Sequence, residues 1–135
     1  MAAVIRTTAA LLLAATLSGC SLFSGGPQFA TLSGEAVVAS DAAISPQSQL
    51  EVRLLDMTGG RRTIAQVTQR THGRLPVPFT LRYERSSLEE GRRYALSAAL
   101  EDNGETRFLT LEPLPVLSGE APQGELRVPL APVSP

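Results

Sequence analysis

The chain has 135 residues, 12 basic against 13 acidic side chains, a net charge of −1 and 43% hydrophobic residues, which suits one domain with a modest core. Every basic residue is an arginine and no strongly basic segment stands out, so nucleic acid is not an expected partner. A lone cysteine excludes an internal disulfide, and a lone histidine leaves little material for metal or triad chemistry.

Residues 1–19 read as a secretion signal. Arg6 supplies the positive charge, and an apolar run from Thr7 to Leu17 is centred on Leu11, Leu12 and Leu13. The run is shorter than the roughly 20 apolar residues a spanning helix needs, and it fits the apolar region of a cleaved signal peptide. It ends in Leu17-Ser18-Gly19-Cys20, which resembles the bacterial lipobox. Cys20 is therefore the expected lipid attachment point, where fatty acyl chains such as palmitate account for an otherwise unpaired thiol. Each buried methylene contributes about 0.8 kcal/mol, and stable anchoring takes more than one chain. An aspartate after the cysteine would resemble an inner-membrane retention signal. Ser21 instead implies sorting to the outer membrane, on its periplasmic face. Residues 20–30 then form a lipidated cysteine and a flexible Ser/Gly/Pro-rich tether, with a reach of roughly 15–20 Å, and residues 31–135 form the folded domain.

Short strands follow in chain order. Leu32–Ala39 is the first. In Gln49–Met57, Leu50, Val52 and Leu54 alternate with Glu51 and Arg53, the period of a strand with one buried face. Thr63–Gln69 is rich in β-branched residues. Val77–Glu84 places Phe79, Leu81 and Tyr83 on one face, and Arg93–Leu100 does the same with Tyr94, Leu96, Ala98 and Leu100. Asn103-Gly104 is a hairpin signal, because both residues tolerate positive φ, and Glu105–Leu111 is the return strand. Glu112–Gly124 carries Pro113, Pro115 and Pro122 and reads as an edge segment or loop with an irregular strand around Val116 and Leu117. Glu125–Leu130 is the last strand. Ser86–Glu90 fits a single helical turn.

This pattern predicts an all-β domain, a seven-to-eight-stranded antiparallel β-sandwich of immunoglobulin or transthyretin type. In Leu88-Glu89-Glu90-Gly91-Arg92-Arg93-Tyr94 the leucine, glycine and tyrosine spacing resembles a tyrosine corner, in which a tyrosine at the start of a strand sends its hydroxyl back to the upstream backbone. Gly91, Tyr94, Asn103 and Gly104 are thus structural positions.

Nothing in the sequence assembles an active site. His72 lies in the turn-like Thr71-His72-Gly73-Arg74 without a nucleophile motif beside it. Glu101–Glu105 lacks the spacing of a calcium loop, and Glu89-Glu90 reads as a solvated loop. Arg61-Arg62 and Arg92-Arg93 read as exposed charge pairs, with anionic headgroups or an acidic peptide as the alternative partner. No enzyme activity, cofactor, metal or small-molecule substrate is expected, and no partner-binding residues are assigned.

Several stretches together carry a family resemblance. They are Ser33-Gly34, the loop from Asp41 to Pro46, Leu50–Asp56, Ile64-Ala65-Gln66, Pro76-Val77-Pro78-Phe79 with Leu81 and Tyr83, Tyr94–Ala98, Asn103-Gly104, Phe108 and Pro115-Val116-Leu117. Over about Leu32–Leu130 the chain resembles the YscW/YbaY family of small lipoproteins. The better understood branch of that family consists of pilotins of type III secretion systems, which bind the tail of a secretin subunit, escort it to the outer membrane and help its ring assemble. The resemblance implies such a chaperone, with a secretin C-terminal tail as partner. The runner-up it implies is a general envelope lipoprotein with a structural or stress role and no secretin.

Overall fold

The computed structural model describes residues 28–38, 41–118 and 124–133. Cys20, Ser21, the signal segment and most of the tether lie outside these residues. Eight strands make up nearly all the regular structure: β1 (Phe29–Val38), β2 (Gln49–Asp56), β3 (Arg62–Arg70), β4 (Val77–Glu84), β5 (Tyr94–Asp102), β6 (Glu105–Leu109), β7 (Leu114–Val116) and β8 (Leu126–Pro132). One 3₁₀ turn, Arg85–Ser87, follows β4.

Alternation explains the interior. In β4 the residues at positions 77, 79, 81 and 83 are buried and their neighbours are exposed or half-exposed. In β2, Leu50, Val52 and Leu54 are fully buried. These side chains join Ala36, Tyr94, Leu96, Leu100, Val116, Leu126, Val128 and Leu130 in one core. Complete burial of a leucine or valine side chain stabilises the fold by roughly 1.5–3 kcal/mol, so the alternating runs account for much of the sheet's stability.

The strands are hydrogen-bonded in the order β3-β2-β5-β6-β8-β1-β4, with β7 added to β5. The sheet curls nearly into a barrel, bringing its two end strands, β3 and β4, alongside each other. This corrects the expected antiparallel sandwich. The eight strands form a single mixed sheet, and β1 runs parallel to β8, with Gly34 opposite Leu126 and Val38 opposite Leu130. The reason is local. Alternation in β8 dictates which face is buried, not the direction of the neighbouring strand. Gly34 permits the close parallel approach, since a Cβ there would collide with the carbonyl oxygen of Leu126.

Two further boundaries move. The first strand begins at Phe29, because Phe29 and Ala30 already pair with Glu84 and Tyr83. The expected tether thus loses its last two residues to the sheet. The edge segment after β6 resolves into β7, which pairs with the start of β5 at Tyr94–Leu96 while β6 pairs with its end. Buried Thr110 bridges the gap between them. Its N–H donates to the Ala98 carbonyl at 2.9 Å, and its Oγ1 accepts from the Ala98 N–H at 3.0 Å. A threonine side chain here completes the ladder where the main chain turns away.

The register defines two ends of the barrel. The chain enters at Gln28, whose carbonyl accepts from the Arg85 N–H. The turn after β2 and the connection from β4 to β5 lie at this entry end. The loops before β2 and after β3, together with the Asn103-Gly104 turn, lie at the far end.

Candidate functional site

Three places concentrate polar or exposed groups. The first is at the entry end. Buried Tyr94 opens β5, and its phenolic oxygen accepts the Glu89 N–H at 2.7 Å while its hydroxyl reaches back to the Glu89 carbonyl at 3.4 Å. Gly91, with φ of 82°, allows the intervening turn. Beside it, Asp56 is 2% exposed. Its Oδ1 accepts the Thr58 N–H at 2.9 Å and its Oδ2 accepts Arg92 Nη1 at 3.0 Å, with Arg62 at 3.7 Å. Arg92 also donates through Nε to Glu89 at 2.5 Å. The Thr58 backbone bond outweighs the opposing effect of desolvation and, with Arg92, holds the Asp56 carboxyl below the usual aspartate range. Glu89 foremost, and then Asp56, raise the Arg92 guanidinium above its ordinary value. The Arg93 N–H closes the cluster on Thr58 Oγ1 at 2.8 Å. These groups satisfy one another and pin the turn after β2 to the corner before β5. That is a structural clamp with no free reacting atom.

The sequence signalled half of this cluster. The spacing of Gly91 and Tyr94 marks the corner. Asp56 carries a weaker signal: Asp56-Met57-Thr58-Gly59-Gly60 is a turn pattern in which an aspartate side chain commonly takes the N–H two residues on. What could not be read was Arg92 arriving from another connection.

The second place is the far end. A groove of about 360 Å³ is lined by Ile44, Ser45, Leu100, Arg107, Phe108 and Val133, among others. Ile44 and Phe108 are half-buried and Val133 is 41% exposed. Asn103 and Gly104, with φ of 55° and 79°, form the tight turn beside it. Behind the groove, Ser48 Oγ donates to the Ser45 carbonyl at 2.6 Å and lies 2.6 Å from Thr71 Oγ1. The Thr71 N–H donates to the Ser48 carbonyl. This buried hydroxyl pair, which no sequence pattern marks, fastens the loop before β2 to the loop after β3.

The third place is the seam where β3 meets β4. No ladder joins the two strands among the described residues. Among the described residues one side-chain hydrogen bond crosses from β3 to β4: Gln69 Nε2 donates to the Pro78 carbonyl at 2.5 Å. Ala65 and Val67 point inward with buried Leu54 and Val52 beside them, yet both are only half-buried because the seam leaves them uncovered. A groove of about 770 Å³ opens at the far end of the seam, lined by Arg70, His72, Arg74, Pro76, Val77 and Pro78, among others.

The remaining sequence candidates stay apart. His72 is exposed in its turn, with φ of 57°. Glu90 and Glu101 are exposed and form no ion pair among the described residues. Arg61-Arg62 and Arg92-Arg93 do come together at the entry end, where Arg62 and Arg92 both face Asp56. No group of three or more His, Cys, Asp or Glu side chains is placed to share a metal ion among the described residues.

The described residues thus present a curled sheet with two grooves and a structural clamp. The sequence matches the family model for the type III secretion system lipoprotein chaperone YscW over residues 27–128, and the chain belongs to that family. It is a family of chaperones, not of enzymes. The fold is similar to that of an alternative pilotin from the type II secretion system of Vibrio cholerae, with a TM-score of 0.74 and 22% identity, covering 80% of this chain and 100% of that one. A search of curated protein sequences gave no match.

Proposed function

We propose that this chain is a pilotin-type chaperone held at the periplasmic face of the outer membrane by acylated Cys20, and that it binds the C-terminal tail of a secretin to assist the targeting and assembly of the secretin ring. Membership of the YscW family carries the reading. The molecular layout supports it. The chain enters the barrel at Gln28, so residues 20–27 serve as the lipidated tether after removal of residues 1–19. The far-end groove and the upper part of the β3/β4 seam lie away from this entry. A short tether keeps these surfaces concentrated near the membrane, so that capture of a partner also localises it. The domain expected over residues 31–135, with its first strand extended back to Phe29, is the recognition domain.

Deletion of the gene tests the proposal. Heat-resistant secretin multimers in the outer-membrane fraction should disappear and return when the wild-type chain is supplied. Undiminished multimers in the deletion strain would favour an envelope lipoprotein with no secretin partner.

A further inference from the structure

We propose that the β3/β4 seam takes an extended acidic segment of a partner polypeptide, which pairs with the part of the β3 edge that β4 leaves uncovered beside Ala65 and Val67 and lays its acidic side chains on Arg70 and Arg74 in the far-end groove. The inference deepens the chaperone reading and rests on it for the existence of a polypeptide partner.

Backbone geometry selects the edge. β3 and β4 terminate the hydrogen-bonded order, and no ladder closes the sheet between them among the described residues. A strand at such a position presents unpaired N–H and C=O groups to any chain that can reach them. The two edges are not equivalent. β4 contains Pro78, which has no N–H, and the Pro78 carbonyl is already taken by Gln69. β3 runs nine residues, Arg62–Arg70, without a proline. It is the edge able to template a partner strand.

The side chains supply footing and charge. Ala65, Val67 and Gln69 stand opposite buried Leu54, Val52 and Leu50; Gln69 turns to the Pro78 carbonyl, and Ala65 and Val67 remain half-buried where the equivalent residues of β2 and β4 are buried. A strand alongside β3 would cover them. At the far end of the seam, the 770 Å³ groove carries Arg70 and Arg74 and no carboxylate in its lining. Both arginines are exposed, and neither forms an ion pair among the described residues. The nearest outward carboxylate on β2, Glu51, sits opposite Thr68 and is engaged by Arg53 at 2.5 Å. Across β4, Glu35 of β1 stands opposite Pro78 and Asp41 lines the neighbouring groove with Pro76, so the positive charge is confined to the β3 side of the seam, where it is complementary to an acidic segment. Arg82 is not part of the field, since its guanidinium lies 3.9 Å from the centroid of the Phe29 ring on the β1 side.

The test is a titration of the full chain carrying Cys20→Ser, labelled with nitrogen-15, with two synthetic peptides of roughly ten residues, the length of a long strand. One peptide alternates valine with glutamate, the other valine with lysine. The glutamate peptide should shift the backbone amides of Thr63–Arg70. The double variant Arg70→Glu/Arg74→Glu should weaken its binding about tenfold or more, and raised salt should weaken it further. Arg107→Glu, at the other groove, should leave binding unchanged. The proposal is overturned if the glutamate peptide fails to bind at millimolar concentration, if both peptides bind alike, or if the shifts fall on Ile44 and Phe108. Those results would leave Arg70, Arg74 and Pro78 as devices that keep an exposed edge from aggregating. Secretin assembly separates this failure from failure of the chaperone reading. If assembly needs the chain but tolerates Arg70→Glu/Arg74→Glu, the seam is the wrong surface and the chaperone reading stands. If assembly does not need the chain, the chaperone reading falls whatever the titration shows.

Discussion

Tyr94 accepts the Glu89 N–H on its phenolic oxygen at 2.7 Å, five residues back along the chain. The bond joins the first residue of β5 to the connection that brings the chain across from β4. Because the ring is buried, removing the hydroxyl leaves a partly buried N–H without its partner. Tyr94→Phe should cost about 1–2 kcal/mol, lowering Tm by several degrees in a domain of this size. Thermal unfolding followed by circular dichroism checks this, and an unchanged Tm would show that water replaces the hydroxyl freely.

Asp56 makes stability depend on acid. Its native carboxyl titrates below the usual aspartate range, chiefly through the Thr58 N–H, which outweighs the opposing effect of desolvation, and then through Arg92. A group with a lowered native pKa contributes stability that is complete above its unfolded pKa and disappears as the pH falls through the native one. Asp56→Asn should therefore destabilise the chain at pH 7, and the gap to wild type should narrow as the pH drops below about 4. Urea midpoints at pH 7, 4 and 3 measure the gap. A gap that widens toward low pH would contradict the assignment.

Gly34 and Gly104 should respond differently to alanine. At Gly34 the added Cβ meets the Leu126 backbone, and the parallel β1/β8 contact must open. A cost of about 3 kcal/mol or more is expected, at or beyond the upper end for overpacked sites. Gly104 has open space around it but a φ of 79°, so Gly104→Ala should cost only about 1–2 kcal/mol. Chemical denaturation of both variants ranks them, and equal costs would place the parallel pairing in error.

Much of the fold was legible because the chain alternates. Val77–Glu84 emerges as a strand with the expected limits, and β2, β3 and β5 shift by only one or two residues. Burial of every second side chain is a local property, visible without knowing the neighbours. Pairing is not local. The parallel β1/β8 contact depends on a strand 92 residues away reaching past Gly34, and no periodicity records that. β7 was visible only as an irregular stretch, since its link to β6 runs through the Thr110 hydroxyl and not through a continuous ladder. The binding surfaces were less legible still. Arg70, Arg74 and Pro78 look ordinary in sequence, and they gain meaning only when curling of the sheet sets the β3 edge beside β4.

In the proposed function, lipid anchorage and partner capture belong to one molecule. The most direct measurement compares wild type with Cys20→Ser in the deletion strain, following both the chaperone and the secretin through membrane fractionation. The variant should fold, leave the membrane and still co-purify with the secretin, while the secretin fails to reach the outer-membrane fraction. If Cys20→Ser remained firmly membrane-bound, or supported outer-membrane secretin multimers as fully as wild type, anchorage through Cys20 would not be what delivers the partner.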